Sequence, residues 1–326
     1  MRLRDVDFGN VLTASGTLNF YGEGYPYQKL LKPFGCNFTG AGLVAKTVTI
    51  QKRKGNMSLN QDGSLPLFPL KPACIVVNRE KGIALNAVGL SNLGAVAHLE
   101  SGKWQKLEEP FSLSFMAVGQ SKEERLHELR AFVILLGVYL PWFQEPVCLQ
   151  LNYSCPNTGH EVGELASEVE EGLNIASALD IPLIPKFNVE LPVQMALEIS
   201  RHPACDGICI SNTIPWGKLP ERIDWVGLFG SMTSPLAHLG GGGLSGAPLL
   251  PLVAEWVYAA RTTGITKPIN AGGGILEPKD VDVLLDAGAT SVFLGSISFL
   301  RPFSVRDTIL YAEQSFKRRG RSQTWR

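Results

Sequence analysis

Short apolar, β-branched runs recur along the chain at residues 11–14, 42–46, 112–118, 147–152, 182–187, 207–212, 268–271 and 291–295, each followed by a loop. Between them lie stretches with apolar residues at three- and four-residue spacing, at 123–140, 162–179, 191–202, 249–263, 279–287 and 305–318, which predict amphipathic helices. Strands that alternate with helices run parallel and are buried on both faces. Eight such units predict an α/β fold of one domain over residues 1–326, a (β/α)8 TIM barrel whose active site forms at the C-terminal ends of the strands. An open doubly wound sheet is the alternative, but its glycine fingerprint after the first strand is missing. Residues 55–85 break the rhythm: they are rich in Gly, Asn, Pro and Lys, contain one apolar piece at 73–77, and predict an inserted lid or loop after the second strand.

Charge and composition narrow the function classes. The 326 residues carry 30 Lys and Arg against 30 Asp and Glu, so nothing points to a general affinity for nucleic acid. The basic run at 317–321 reads as a solvated helix end that complements the dipole. Cysteines at 36, 74, 148, 155, 205 and 209 form no CxxC pair and no ligand rhythm with the five histidines. Neither a disulfide framework nor a metal site is expected, and a reducing, cytoplasmic setting fits. No uninterrupted apolar run reaches the roughly 18 residues that span a bilayer, so no integral membrane segment is expected.

On the barrel reading, the residues that end the strands face one cavity. These are Ser15 and Gly16, Lys46 and Thr47, Asn152, Lys186, and Ser211-Asn212-Thr213, with Gly272-Gly273-Gly274 and Gly295-Ser296 after the last two strands. Glycine loops at those last positions suit a phosphate held by backbone N–H groups, and the glycine-rich stretch at 240–246 adds a further donor-rich turn. An ammonium facing a barrel mouth needs a partner. Lys46 and Lys186 therefore predict an anionic ligand, with a Schiff-base role as the alternative. Asn86, Asn152, Asn157 and Asn212 around one pocket would suit a planar ligand rich in amides. Cys155, between Ser154 and Pro156 in the loop after the fourth strand, is read as a reactive thiol.

Seven motifs together carry a resemblance to a known family: Thr13-Ala14-Ser15-Gly16; residues 42–49 with Gly55-Asn56; residues 85–92; Asn152-Tyr153-Ser154-Cys155-Pro156-Asn157; residues 206–213; Gly243-Leu244-Ser245-Gly246; and Gly272-Gly273-Gly274-Ile275. In this order they resemble the dihydroorotate dehydrogenases, (β/α)8-barrel enzymes that use FMN in pyrimidine biosynthesis. The resemblance implies that Ala14, Ser15, Lys46, Asn152, Lys186 and Ser211 contact the flavin, with Gly246, Gly273, Gly274, Gly295 and Ser296 around its phosphate. It implies that Lys46, Asn86, Asn152, Asn157, Asn212 and Thr213, with the backbone of Val88, Gly89 and Leu90, hold the substrate. Cys155 falls at the catalytic base, taking a proton from C5 of (S)-dihydroorotate while flavin N5 takes the C6 hydride. Cysteine there marks the soluble type, for which a homodimer is expected; the electron acceptor is open between fumarate, a quinone, and NAD through a partner subunit. Departures from the family pattern are Met57-Ser58-Leu59-Asn60 in place of prolines and an arginine, with Arg79 as the candidate replacement charge, and Thr158-Gly159-His160-Glu161 after the cysteine motif. An FMN oxidoreductase for another dihydropyrimidine or cyclic amide, and a non-redox barrel lyase or isomerase, are the alternative functions.

Overall fold

A computed structural model describes residues 1–67, 72–153 and 162–322. In chain order the strands are β1 (Arg2–Leu3), β2 (Val6–Asp7), β3 (Val11–Thr13), β4 (Ile75–Asn78), β5 (Ile83–Asn86), β6 (Phe111–Phe115) and β7 (Val147–Asn152). They continue with β8 (Leu183–Phe187), β9 (Ile208–Ile210), β10 (Ile214–Pro215), β11 (Gly243–Gly246), β12 (Ile269–Ala271) and β13 (Ser291–Leu294). Seven of them form one parallel sheet in the order β3-β13-β12-β9-β8-β7-β6, with helices between successive strands, including Lys122–Tyr139, Val162–Ala176, Val193–Ser200, Leu249–Thr262 and Asp280–Asp286.

The eighth strand expected at 42–46 is not a regular strand, yet residues 42–48 lie between the two sheet edges. Thr13 N–H donates to the Gly42 carbonyl (2.9 Å) and Gly42 N–H to that of Val11 (2.8 Å), while Ala45 N–H reaches Ser112 (2.8 Å) and Val48 N–H reaches Ser114 (2.9 Å). Parallel bridges at Gly42, Val44 and Val48 thus join β3 to β6 and close the barrel. The ladder is interrupted because Lys46 N–H turns away to the Asn19 carbonyl (2.9 Å).

Strand alternation separates two cores. On β7, Leu149 and Leu151 pack outward into the layer shared with the helices. Cys148 points inward, into a smaller cluster with Leu12, Val44, Ile184, Cys209 and Phe293, which Met1 and Leu3 of the β1/β2 hairpin close off.

The insert at 55–85 is more ordered than a plain lid. Its end forms the β4/β5 hairpin, and the supposed turn at 240–246 contributes β11, so that a four-stranded antiparallel sheet forms in the order β10-β11-β5-β4. Because β10 starts just after β9 ends, this sheet stands at the C-terminal end of the barrel. Its hairpin turn is tied down on two sides. Arg79 Nε donates to the Phe299 carbonyl (3.0 Å) and Arg301 Nη1 to that of Arg79 (2.6 Å), while Lys81 Nζ donates to the carbonyls of Gly227 (2.7 Å) and Leu228 (3.0 Å). Arg79 is therefore spent on this surface tie and does not supply the charge sought for it at the site. Among the described residues, no helix is long and apolar enough to cross a membrane, and no cluster of His, Cys, Asp and Glu could hold a metal ion.

Candidate functional site

Two buried lysines end barrel segments. Lys46 is 7% exposed; its Nζ has no hydrogen-bond partner among the described residues and lies 4.9 Å from the centre of the Phe20 ring. Burial pulls its pKa down from 10.5 to about 8, with Cys74 and Glu23 acting weakly in the opposite direction. Lys186, at the end of β8, is also buried, and its ammonium sits 5.5 Å from the centre of the Phe293 ring. Burial lowers its pKa as well, opposed by Cys209. Register places Lys186 beside Asn152 on β7 and Cys209 on β9.

The asparagines form a connected row. Asn212 Nδ2 donates to Asn152 Oδ1 (3.2 Å), and Asn212 Oδ1 accepts from Thr213 N–H (3.1 Å). Thr213 packs so closely on Gly243 that a Cβ there would stand 2.2 Å from its Oγ1. Asn86 Nδ2 in turn donates to the Gly243 carbonyl (3.4 Å). Strand ends from β5, β7 and β9 thereby meet through β11. The Ile210–Ser211 peptide is cis; Ser211 N–H donates to Gly272 and Asn212 N–H to Phe187, which fixes this strand end between β12 and β8. The Ser211 hydroxyl is turned back onto the Asn212 carbonyl (2.5 Å).

The turn Val88-Gly89-Leu90 is held from below by the Gly55-Asn56 motif. Asn56 N–H donates to the Val88 carbonyl (2.8 Å) and its Nδ2 to that of Ala87 (2.7 Å). A Cβ on Gly55 would lie 2.2 Å from Ser91 Oγ and 2.6 Å from the Val88 oxygen, so only glycine admits this packing.

The glycine loops and the first strand end converge on the other side. Ala14 N–H donates to the Leu294 carbonyl (2.7 Å), and a Cβ on Gly295 would meet Ala14 Cβ at 3.0 Å; Ser296 follows as the cap of the short helix Ile297–Leu300. Ser15 Oγ is committed to the Ala45 carbonyl (2.9 Å) and to Thr47 Oγ1 (2.9 Å), which meets Ser114 Oγ (2.8 Å). Gly273 and Gly274 have φ of 131° and 82°, and Gly246 has φ of 108°. A Cβ on Gly274 would stand 2.6 Å from Leu250 N, so this loop lies against the first turn of the helix Leu249–Thr262, where backbone N–H groups collect.

Of the residues singled out in the sequence, Cys155 and Asn157, with Ser154, Pro156 and the departure at 158–161, lie outside the described residues. The others fall into two neighbouring groups, the lysine and amide row and the glycine loops. Sequence reasoning missed Phe20 and Phe293, whose rings face the two ammonium groups, and Ser114, whose hydroxyl extends the row from Ser15 and Thr47. No local signal marks them, since each acts through a contact with a distant segment.

Comparison with known proteins agrees with this geometry. The family model described as dihydroorotate dehydrogenase matches residues 2–310. The catalytic subunit of dihydroorotate dehydrogenase B (NAD(+)) from Endomicrobium trichonymphae is 30% identical over 301 residues, covering 90% of this chain and 83% of that protein. The corresponding subunit from Caldicellulosiruptor bescii is 28% identical, over 95% of this chain and 91% of its own. The dihydroorotate dehydrogenase A (fumarate) of Limosilactobacillus reuteri is 28% identical, over 90% and 85%. A family match over nearly the whole chain, on a barrel whose strand ends gather the motif lysines, amides and glycines, means that the chain belongs to the dihydroorotate dehydrogenase family.

Proposed function

We propose that this protein oxidises (S)-dihydroorotate to orotate in pyrimidine biosynthesis, with FMN as its cofactor. The observation that carries the reading is the Lys46 ammonium, buried and without a hydrogen-bond partner among the described residues. A charge in that position is costly until an anion arrives, and both the flavin and the substrate carboxylate supply negative charge. The row of Asn86, Asn152, Asn212 and Thr213 offers donors and acceptors to a planar cyclic amide in the same place.

The residues fit FMN as well. The N–H groups of Gly246, Gly273 and Gly274, with the last two against the first turn of the helix Leu249–Thr262, would hold its phosphate together with those of Gly295 and Ser296. Ala14, Ser15, Lys186 and Ser211 would line the ring, with Lys186 placing positive charge beside it. Bound FMN supplies the acceptor for the hydride that leaves C6.

The chain's own part is to bind, orient and move one proton. Lys46 and the backbone at Val88, Gly89 and Leu90 hold the substrate carboxylate, while Asn86, Asn152, Asn157, Asn212 and Thr213 fix the plane of the ring. Cys155 takes the proton from C5. A thiol with pKa near its ordinary value of about 8.5 is mostly protonated at neutral pH, so flavin reduction should accelerate toward alkaline pH.

Anaerobic mixing with (S)-dihydroorotate tests the reading: the yellow flavin band should bleach. A yellow protein that stays oxidised would refute the substrate, and a colourless protein that takes up no FMN would refute the cofactor. Cys155→Ala should keep its flavin but reduce it on the order of 10²–10⁴-fold more slowly; reduction at the wild-type rate would remove Cys155 from the mechanism.

A further inference from the structure

Behind Lys46 lies an aromatic box built from two segments, residues 20–21 after β3 and residues 98–104, which run from the helix Ala95–Glu100 into the turn after it. Phe20 is fully buried, and its backbone carbonyl accepts from Trp104 Nε1 (2.7 Å). Its ring packs on the His98 imidazole with centroids 4.1 Å apart, and His98 stacks in turn on Trp104 at 5.3 Å. The Tyr21 hydroxyl meets His98 Nδ1 (2.7 Å), while Leu93 N–H donates to Nε2 (3.4 Å). Because Nε2 is the acceptor, the hydrogen of a neutral imidazole sits on Nδ1 and is donated to Tyr21. Phe20 is thus fixed through its backbone and its ring at once.

Two ammonium groups reach this box, and each has a ring of its own. Lys46 Nζ lies 4.9 Å from the centre of Phe20, and Lys103 Nζ lies 4.8 Å from that of Tyr21. An imidazolium at position 98 would compete with Lys46 for the same π-electrons; burial, helped by Lys46 and Lys103, instead pushes the His98 pKa down to about 3 and keeps the ring neutral. The groups of opposite sign that act on Lys46 are Glu23 and Cys74. The Glu23 carboxylate is already engaged by Asn19 Nδ2 (2.5 Å) and Tyr21 N–H (2.8 Å), and burial raises the pKa of the Cys74 thiol, which favours its neutral form. The face of Phe20 therefore carries the attraction that remains, and such an attraction is strongest where water is excluded. We propose that Phe20 is the positioning residue for Lys46: its ring, fixed by His98, Tyr21 and Trp104, holds the ammonium charged and in place between ligands, so that the cation is ready when the substrate carboxylate arrives. This rests on the reading that Lys46 binds that carboxylate.

Fluorination of the ring provides the test, because it keeps the shape of phenylalanine and drains negative charge from its face. Mono-, di- and trifluorophenylalanine are placed at position 20 of the full, FMN-loaded chain, beside Phe20→Leu, and orotate affinity is read from the perturbed flavin spectrum across a pH series from about 6 to about 10. Wild-type affinity should weaken above a midpoint at which Lys46 loses its proton. Lys46→Arg, whose guanidinium stays charged throughout, should bind without that midpoint, which assigns it to Lys46. Each added fluorine should move the midpoint down, by about one pH unit over the series, so that orotate binds about tenfold more weakly above it while affinity at lower pH stays at the wild-type value. Phe20→Leu should show the full displacement. A role confined to packing would lower Tm and flavin content and scale the affinity equally at every pH, leaving the midpoint where it was, and that result would overturn the proposal. Should Phe20→Leu fail to fold, the fluorinated series decides alone. The two readings fail differently. A wild-type affinity that does not change with pH removes Lys46 from substrate binding and this inference with it, whereas a wild-type midpoint that fluorination does not move removes Phe20 only.

Discussion

Replacing Lys46 by methionine should stabilise the ligand-free protein and cripple its binding. The side-chain stem is retained, while the ammonium, buried beside Phe20 with no hydrogen-bond partner among the described residues, is removed. Burial takes the pKa from 10.5 to about 8; at 1.36 kcal/mol per pH unit the charged form costs the folded state about 3 kcal/mol. The sign follows from proton counting. Between pH 8 and 10.5 the unfolded chain holds more protons on this lysine than the folded chain does, so stability rises with pH across that window. The cost is fully present below it and gone above it. At neutral pH, Lys46→Met should therefore raise the unfolding free energy of the FMN-free protein by up to about 3 kcal/mol, or several degrees in Tm, and the difference between variant and wild type should shrink as pH climbs to 10.5. Adding FMN and orotate should reverse the order, because ligands that bind only the folded state stabilise the wild type in proportion to their affinity. Urea denaturation of both proteins at a series of pH values, with and without the two ligands, measures all of this. An FMN-free variant that is less stable than wild type at neutral pH, or a stability difference that does not change with pH, would refute the reasoning.

Two further outcomes test the other half of the site. Lys186→Ala should lose its flavin on purification, read from the ratio of visible to ultraviolet absorbance, and a fully yellow variant would contradict the role given to that ammonium. Gly246→Ala forces a Cβ to within 2.1 Å of the Gly82 carbonyl at a φ of 108°. The conformational strain alone is about 1–3 kcal/mol, and relief requires β11 to part from the β4/β5 hairpin; Tm and FMN retention should fall together, and a variant normal in both would be inconsistent with the cradle.

The barrel was legible because its signals are local. The run at 147–152 is the strand Val147–Asn152, and 182–187 differs by a single residue from Leu183–Phe187: burial on both faces demands uninterrupted apolar, β-branched residues, and that demand is written in consecutive positions. The same holds for the motifs, in which a glycine or asparagine answers a turn formed by its immediate neighbours. Where an outcome depended on a distant partner, local reading stopped short. Residues 42–48 close the barrel without forming a regular strand because Lys46 N–H finds Asn19. Residues 75–86 became a hairpin because β11, far along the chain, offers an edge to pair with. Arg79, a candidate for the site by its charge, is held instead at a surface carbonyl beyond β13. No sequence pattern announces that the Lys46 ammonium has no hydrogen-bond partner among the described residues, or that Arg125 and Glu168 find each other between two helices. Local chemistry assigns the residue types and the elements that carry them, whereas desolvation and pairing depend on everything packed within a few ångströms, and only the folded chain brings those groups together.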